Sequence, residues 1–314
     1  MKKNLLLYII ILLLIPIFVI SIIYNGEIKQ ESKDKKTTES TNKKIEEQQK
    51  DIVIKINKDN EIKEINLEEY IIGVVAGEMP ASFEEEALKA QAIASRTYAM
   101  YKLETSSGNY DLKTTVDDQV YITKDEMKEK WLDDYEFYYN KIKDAVLETK
   151  NKIMKKDNKI FKAYYFAMSN GTTADSITVF NEKTINSVSS PWDNEELNKF
   201  IVTTEFTLDE IKTKLNLNEE INSIKIISRD DTNRVEKISV NENTYTGIEF
   251  RTLLSLRSTD FNIETQNNTC YITTKGYGHG VGMSQYGANG MAKENYTYEE
   301  ILKYYYQDIE ITTI

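Results

Sequence analysis

The chain has 314 residues and a formal net charge of −11 at pH 7, with one cysteine, Cys270, and one histidine, His279. That negative balance argues against a nucleic-acid partner, which is held by basic side chains that displace its counterions. A lone cysteine excludes an intramolecular disulfide framework, and one Cys with one His cannot assemble a Cys/His zinc site, so no metal and no cofactor are expected.

Residues 5–24 are apolar and uncharged, long enough to span a bilayer core as a helix. Lys2 and Lys3 precede them, so residues 1–4 are expected to stay as a cytoplasmic tip, with the C-terminal domain outside the cell membrane. A cleaved signal peptide is the competing reading, but no Ala-x-Ala site follows, which favours a single-pass anchor. Residues 25–50 carry seven Lys against six Asp or Glu among Ser, Thr, Gln and Asn, with almost nothing apolar, and read as a flexible linker. Residues 51–314 suit one large domain or two intimately joined lobes.

Residues 51–57 and 61–65 read as a strand pair across Lys58-Asp59-Asn60. Two helices follow, with a break at Pro80. Asn66 with Glu69, and Ser82 with Glu85, are capping-box patterns. Pro80 stops the first helix and biases Met79 toward an extended conformation. Ile71, Val74, Val75 and Glu78 share one face of that helix by three-and-four spacing. Glu78 therefore has two readings. Set in apolar surroundings at a helix C-terminus, its carboxyl has a raised pKa and suits general acid catalysis. Turned to water, it is an ordinary helix-end residue.

The second helix is rich in alanine, and Arg96 is its one inward-looking polar group, or else a surface residue with a buried stem. Residues 106–121 read as a loop. Its adjacent Asp117 and Asp118 offer a second catalytic carboxylate or a capped turn. Residues 124–149 are helical, charged and aromatic, an amphipathic pair covering the core. Lys152–Lys156 and Lys159–Met168 read as a hairpin across Asp157-Asn158. The hydroxyl-rich loop Ser169-Asn170-Gly171-Thr172-Thr173 suits sugar binding or a plain turn. Trp192 is a stacking platform or a buried Trp under a loop. A small helix over 207–220, a hairpin over 222–228 and 235–240, and a short helix over 250–256 complete this part.

Six of the chain's twelve glycines lie in 276–290, together with His279. Their spacing is not that of a phosphate-binding loop, and no Lys-Ser/Thr follows. His279, with Ser284, Gln285 and Tyr286 close behind, is a candidate for a substrate contact or for orienting another group. A Cys270–His279 dyad finds nothing to activate the thiol, and no Gly-x-Ser-x-Gly elbow is present for a serine hydrolase.

The run Leu67-Glu68-x-Tyr70-x-x-Gly73-Val74-Val75-Ala76-Gly77-Glu78-Met79-Pro80 resembles the stage II sporulation protein D family, as do the motifs that follow. These are Glu86–Ala92, Arg96-Thr97-Tyr98, Phe250-Arg251, Leu256–Thr259 and Gly278–Ala288. The chain departs from the family in Ser169–Thr173, where relatives often carry a Gly-Gly-rich Ser-x-Gly-Gly-x-Thr. It departs again in Lys303–Asp308, which stands where a His-Tyr-Tyr-Pro-Gly is usual. The resemblance implies a membrane-anchored lytic transglycosylase that cuts peptidoglycan glycan strands during engulfment in an endospore-forming bacterium, with Glu78 as the catalytic residue. It also implies two partners in the engulfment machine, the sporulation amidase/endopeptidase protein P and the membrane protein M.

Hydrolytic glycosidases use two carboxylates, whereas a lytic transglycosylase can work with one. Arg96, Tyr165, Ser169, His279, Ser284, Gln285 and Tyr286 are the candidates for holding the strand. The alternative is a non-catalytic glycan-binding activator of a partner amidase, a name borne by a broader branch of the family. A structural bridge between two membranes is a third. The expected fold is α+β, a single large mixed domain with a helical block around Glu78 and antiparallel strands, after the transmembrane helix.

Overall fold

A computed structural model describes residues 52–314, and the expected tip, anchor and linker over 1–50 lie outside the described residues. Val53–Ile314 form one compact unit of mixed α+β structure. No described helix is long and apolar enough to cross a membrane.

Strands β1 (Val53–Lys58) and β2 (Glu61–Asn66) pair antiparallel across Asp59 and Asn60, both at positive φ as a tight hairpin turn requires. Asn66 then caps α1 (Leu67–Glu78), accepting from the amides of Glu68 and Glu69. The Glu69 carboxylate does not close the expected box but meets Lys124 instead. Pro80 ends the helix as expected, with Met79 extended at φ −111° and ψ 146°.

Helix α2 (Glu85–Thr105) runs through the middle of the domain. The predicted Ser82 cap is corrected here. The N-cap is Glu84, without a side-chain bond of its own, because residues 80–83 close a turn in which Phe83 N–H donates to the Pro80 carbonyl. The Glu84 amide is satisfied from afar by Asn289 Oδ1 at 2.8 Å. Ala87, Ala90, Ala92, Ala94 and Ala99 are all fully buried, so neighbouring elements approach this helix closely.

The expected loop 106–121 contributes a short strand, β3 (Leu112–Lys113), parallel to β1. Helices α3 (Lys124–Trp131) and α4 (Tyr135–Glu148) form the expected amphipathic pair, with α4 packed on α1 and α2. The hairpin β4 (Lys152–Lys156) and β5 (Lys159–Ile160) turns at Asp157-Asn158. Its second strand stops at Ile160 rather than Met168. Tyr165–Phe166 form a separate strand, β6, followed by the short helix α5 (Ser176–Phe180).

The chain then makes a long excursion with its own core. It comprises β7 (Ile201–Thr207), α6 (Leu208–Lys214), β8 (Ile224–Arg229), β9 (Val235–Val240), β10 (Asn243–Thr246), α7 (Gly247–Leu254), β11 (Phe261–Gln266) and β12 (Thr269–Lys275). Ile211, Ile238, Phe250, Phe261 and Ile272 fill that core, and Cys270 is buried among them. The chain returns at β13 (Met283–Ser284), which pairs parallel to β6, and passes into α8 (Gln285–Lys293) and α9 (Tyr298–Tyr306). Strand β14 (Glu310–Thr313) completes the sheet with β4 and β5. Gly282, at φ +81°, lies where a Cβ would meet the Tyr164 carbonyl oxygen at 1.9 Å, so only glycine lets the returning chain lie against β6.

The expected strand-holding role of Arg96 is corrected by its burial. The side chain is fully enclosed, and its guanidinium grips the Glu68 carboxylate through Nε at 2.9 Å and Nη2 at 2.6 Å. It also donates to the carbonyls of Lys152 and Val146. This bidentate pair ties α1, α2, α4 and β4 together. Removing one partner of such a pair strands the other charge. Glu68→Ala is therefore expected to lower the unfolding free energy by about 3 kcal/mol in urea titration.

Candidate functional site

Glu78 is the last residue of α1 and is partly buried. Its neighbours on the helix face, Ile71, Val74 and Val75, have no solvent exposure. The helix brings a segment of the following loop against its side at two glycines. A Cβ on Gly73 would lie 2.2 Å from the Tyr121 ring, and one on Gly77 would lie 2.5 Å from the Val120 carbonyl oxygen. Because both positions are glycine, the loop seats close enough for the Val120 N–H to donate to Glu78 Oε1 at 2.7 Å. On the other side, Gln285 at the start of α8 places its amide 3.5 Å from Glu78 Oε2. Burial pushes the Glu78 pKa up and the hydrogen bonds from Val120 and Gln285 pull it part of the way back, leaving it at about 7. Near neutral pH the group is thus poised between donor and acceptor.

Beneath Glu78 lies a neutral polar layer. Gln285 Nε2 reaches Gln91 Oε1 at 3.4 Å, and Gln91 Nε2 donates to Ser95 Oγ at 2.9 Å. Gln119 Nε2 donates to the Tyr165 hydroxyl at 2.8 Å, and Gln119 Oε1 accepts from Tyr70 at 3.1 Å. Burial raises the pKa of the Tyr165 hydroxyl well above its ordinary value, and the nearby Glu78 charge adds to that. Tyr165 thus stays neutral in this layer, its hydroxyl oxygen accepting from Gln119.

The other expected contacts divide. Gln285 lies beside the carboxyl, and the next residue, Tyr286, sets its ring edge-on to Phe83 at 5.0 Å. Ser169 and Ser284 turn inward instead. The Ser169 hydroxyl donates to buried Asp193 Oδ2 at 2.7 Å, and Ser190 donates to the same oxygen at 2.8 Å. Ser284 caps α8, accepting from the Gly287 amide. Burial raises the Asp193 pKa, opposed by hydrogen bonds from Ser169, Ser284 and Ser190.

His279 is likewise structural. Its ring sits among Phe180, Phe166 and Tyr164, with centroids 5.1, 5.7 and 5.8 Å away. Nδ1 accepts from the Val281 amide at 3.1 Å, and the ring donates to the Tyr165 backbone. Burial, with Arg251 and Arg234 nearby, pushes its pKa down to about 3, so it is a neutral brace between the glycine-rich turn and β6.

Asp117 and Asp118, the second carboxylates the sequence offers, are held elsewhere. Asp118 pairs with Lys102 at 2.8 Å and accepts from Tyr98, while Asp117 pairs with Lys113 at 2.9 Å. Trp192 is half-buried. It packs edge-on to Tyr304 and Tyr296, and a Cβ on Gly290 would lie 2.4 Å from its own Cβ.

Sequence reasoning missed Val120, Gln91, Gln119 and the two glycines. A signal was present in Gly73 and Gly77. Two helix-weakening residues four apart on one helix face mark a close approach.

Residues 55–155 match the family model described as SpoIID, stage II sporulation protein. The chain is 42% identical over 260 residues to stage II sporulation protein D of Bacillus subtilis, covering 80% of this chain and 76% of that one. It is 40% identical to the protein of the same name from Bacillus amyloliquefaciens, covering 80% and 75%. A more distant similarity, 28% over 298 residues, is to the amidase enhancer of Bacillus subtilis, spanning 77% of this chain and 40% of that protein.

The folded carboxyl of Glu78 keeps its proton to about pH 7, whereas the unfolded chain releases it near 4.5. Across that window the unfolded state binds fewer protons, so native stability falls as pH rises. Glu78→Gln removes this loss and leaves the His279 contribution unchanged. The variant is expected to match the native chain near pH 4.5 and to exceed it by ~3 kcal/mol above pH 7, read from chemical denaturation at a series of pH values.

Proposed function

This chain belongs to the stage II sporulation protein D family, and on that premise we propose that it is a lytic transglycosylase of the sporulating cell wall, with Glu78 as its acid and base. The observation that carries this reading is the Glu78 carboxyl, raised to about 7 and held by a backbone amide, with Asp117 and Asp118 each engaged by a lysine. In the proposed reaction, protonated Glu78 gives its proton to the oxygen joining N-acetylmuramic acid to N-acetylglucosamine, and the bond from that oxygen to C1 breaks. The resulting carboxylate takes the proton of the muramic acid O6 hydroxyl as O6 bonds to C1. The products are a 1,6-anhydro sugar and a free N-acetylglucosamine hydroxyl, with no water consumed and Glu78 protonated again.

Gln285 and Val120 N–H would steady the carboxylate form, and the neutral layer below would keep it from being neutralised by a fixed cation. The chain would be held by its N-terminal anchor with the domain facing peptidoglycan during engulfment. The amidase/endopeptidase protein P and the membrane protein M are its proposed partners. A second reading, a glycan-binding activator of a cell-wall amidase, draws on the similarity to a protein named amidase enhancer.

Incubating the chain with purified glycan strands decides between them. Mass spectrometry should find 1,6-anhydro ends, and Glu78→Gln should lower their rate of formation at least ~100-fold while strand binding persists. Reducing ends without anhydro product would mean hydrolysis. Amidase activation by both forms, with no product from either, would favour the activator.

A further inference from the structure

The loop that carries Val120 is fastened at both ends of a short stretch. Asp118 holds one end, through Lys102 and Tyr98 and by accepting from the Lys113 amide at 2.8 Å. At the other end the Ile122 amide donates to the Gly73 carbonyl at 3.2 Å. Between them Gln119 is fully buried, while Asp118 and Val120 on either side are only partly so. Burying an amide is costly unless each of its groups finds a partner. Gln119 finds them on three elements. Its Oε1 accepts from Tyr70 of α1 at 3.1 Å, and its Nε2 donates to the Tyr165 hydroxyl of β6 at 2.8 Å and to the Ser95 carbonyl of α2 at 3.3 Å. A carbonyl can only accept, so the amide has one orientation, and turning it over would set two oxygens face to face.

These bonds close a circuit on Glu78. From Oε2 it runs through Gln285 and Gln91 to the Ser95 hydroxyl. The Ser95 carbonyl then receives Gln119, and one peptide link leads to Val120, whose N–H returns to Oε1. That N–H belongs to the planar unit joining Gln119 to Val120, so anchoring the Gln119 side chain anchors the plane in which the N–H points. Hydrogen bonds weaken steeply as the donor turns away from its acceptor. Gly77 lets the loop come close to α1, but closeness alone does not aim the N–H.

We propose that Gln119 is a positioning residue, which touches no reacting atom and acts by aiming the Val120 N–H at Glu78 Oε1. The proposal deepens the glycan-cleaving reading and rests on it for its effect on catalysis, but the aim of the N–H is measurable without substrate. In that reading Glu78 is acid first and base afterwards. A bond from an N–H favours the carboxylate over the carboxylic acid, so Gln119 helps to set the balance between the two forms. The other titratable groups around this circuit keep one state near neutral pH. Burial raises the hydroxyls of Tyr70, Tyr98 and Tyr165 above their ordinary range, Asp118 is paired with Lys102, and His279 is held neutral. Glu78 is therefore the group that titrates there.

The test follows the Val120 amide of the full, nitrogen-labelled chain by NMR through neutral pH. In the native chain its signal should move with a midpoint near 7 as Glu78 ionises. Gln119→Met keeps the length of the side chain and removes its hydrogen bonds. There the movement should vanish, and the Glu78 midpoint should rise by about one pH unit, because one bond fewer opposes burial. The alkaline limb of kcat/KM on glycan strands should rise with it. Gln91→Met, in the other half of the circuit, should leave the Val120 movement in place. If Gln119→Met does not fold, Tyr70→Phe decides. It takes away the partner of Gln119 Oε1, leaves a ring to stack on Tyr121, and should shift the midpoint the same way by a smaller amount. A Gln119 that only fills the polar interior would lower the melting midpoint and leave the Val120 movement and the Glu78 midpoint as in the native chain. That result, in Gln119→Met or in the variant that replaces it, would overturn the proposal. So would an equal loss of the movement in Gln91→Met, which would assign the effect to the polar layer as a whole. Loss of the movement in Gln119→Met, with no anhydro product from the native chain, would uphold the positioning role and sink the transglycosylase reading.

Discussion

A carboxylate at the C-terminal end of a helix faces the negative end of the backbone dipole, and burial adds the cost of losing its water. At the end of α1 both penalties fall on Glu78, and the fold relieves them only in part. The Val120 amide gives one short hydrogen bond and Gln285 a long one. The neutral amides leave it near the middle. The surrounding architecture serves this balance. Gly73 and Gly77 bring the loop close enough to donate, and Tyr70, Gln91, Ser95, Gln119 and Tyr165 satisfy one another below without introducing a charge.

His279 shows the opposite use of burial. Its imidazole is kept neutral down to about pH 3, with one nitrogen accepting from the Val281 amide and the ring donating to the Tyr165 backbone. It braces the glycine-rich turn against β6, the strand that supports Tyr165. The two groups therefore give opposite pH trends to the native chain. As pH falls below about 7, protonated Glu78 adds stability, while below about 6.5 the unfolded chain's histidine takes a proton that the native one refuses. Over mildly acidic pH the two effects partly cancel.

Local chemistry was legible in the sequence, and long-range partnership was not. Asn66, Pro80 and the apolar face leading to Glu78 act within one helical turn, and each behaves as its residue type dictates. The Ser82 cap failed because the Asn289 side chain, 205 residues beyond Glu84, accepts from the Glu84 amide in its place. The second hairpin strand stopped at Ile160 because β6 finds a better partner in β13, which the sequence delivers more than a hundred residues later. Arg96 looked available because nothing near it in sequence answers its charge, and Glu68 lies 28 residues away. Ser169 and His279 drew attention as polar groups in glycine-rich loops, yet both turn inward.

The chemistry proposed for this chain stands on the protonation state of one side chain. Labelling glutamate carboxyl carbons and following Glu78 by NMR from pH 3 to pH 9, with Glu78→Gln identifying the resonance, measures it directly. The account predicts a midpoint close to 7 in the folded chain. A midpoint in the ordinary glutamate range, about 4.3, would mean that the carboxyl is already ionised when the glycan arrives and would contradict its role as the acid.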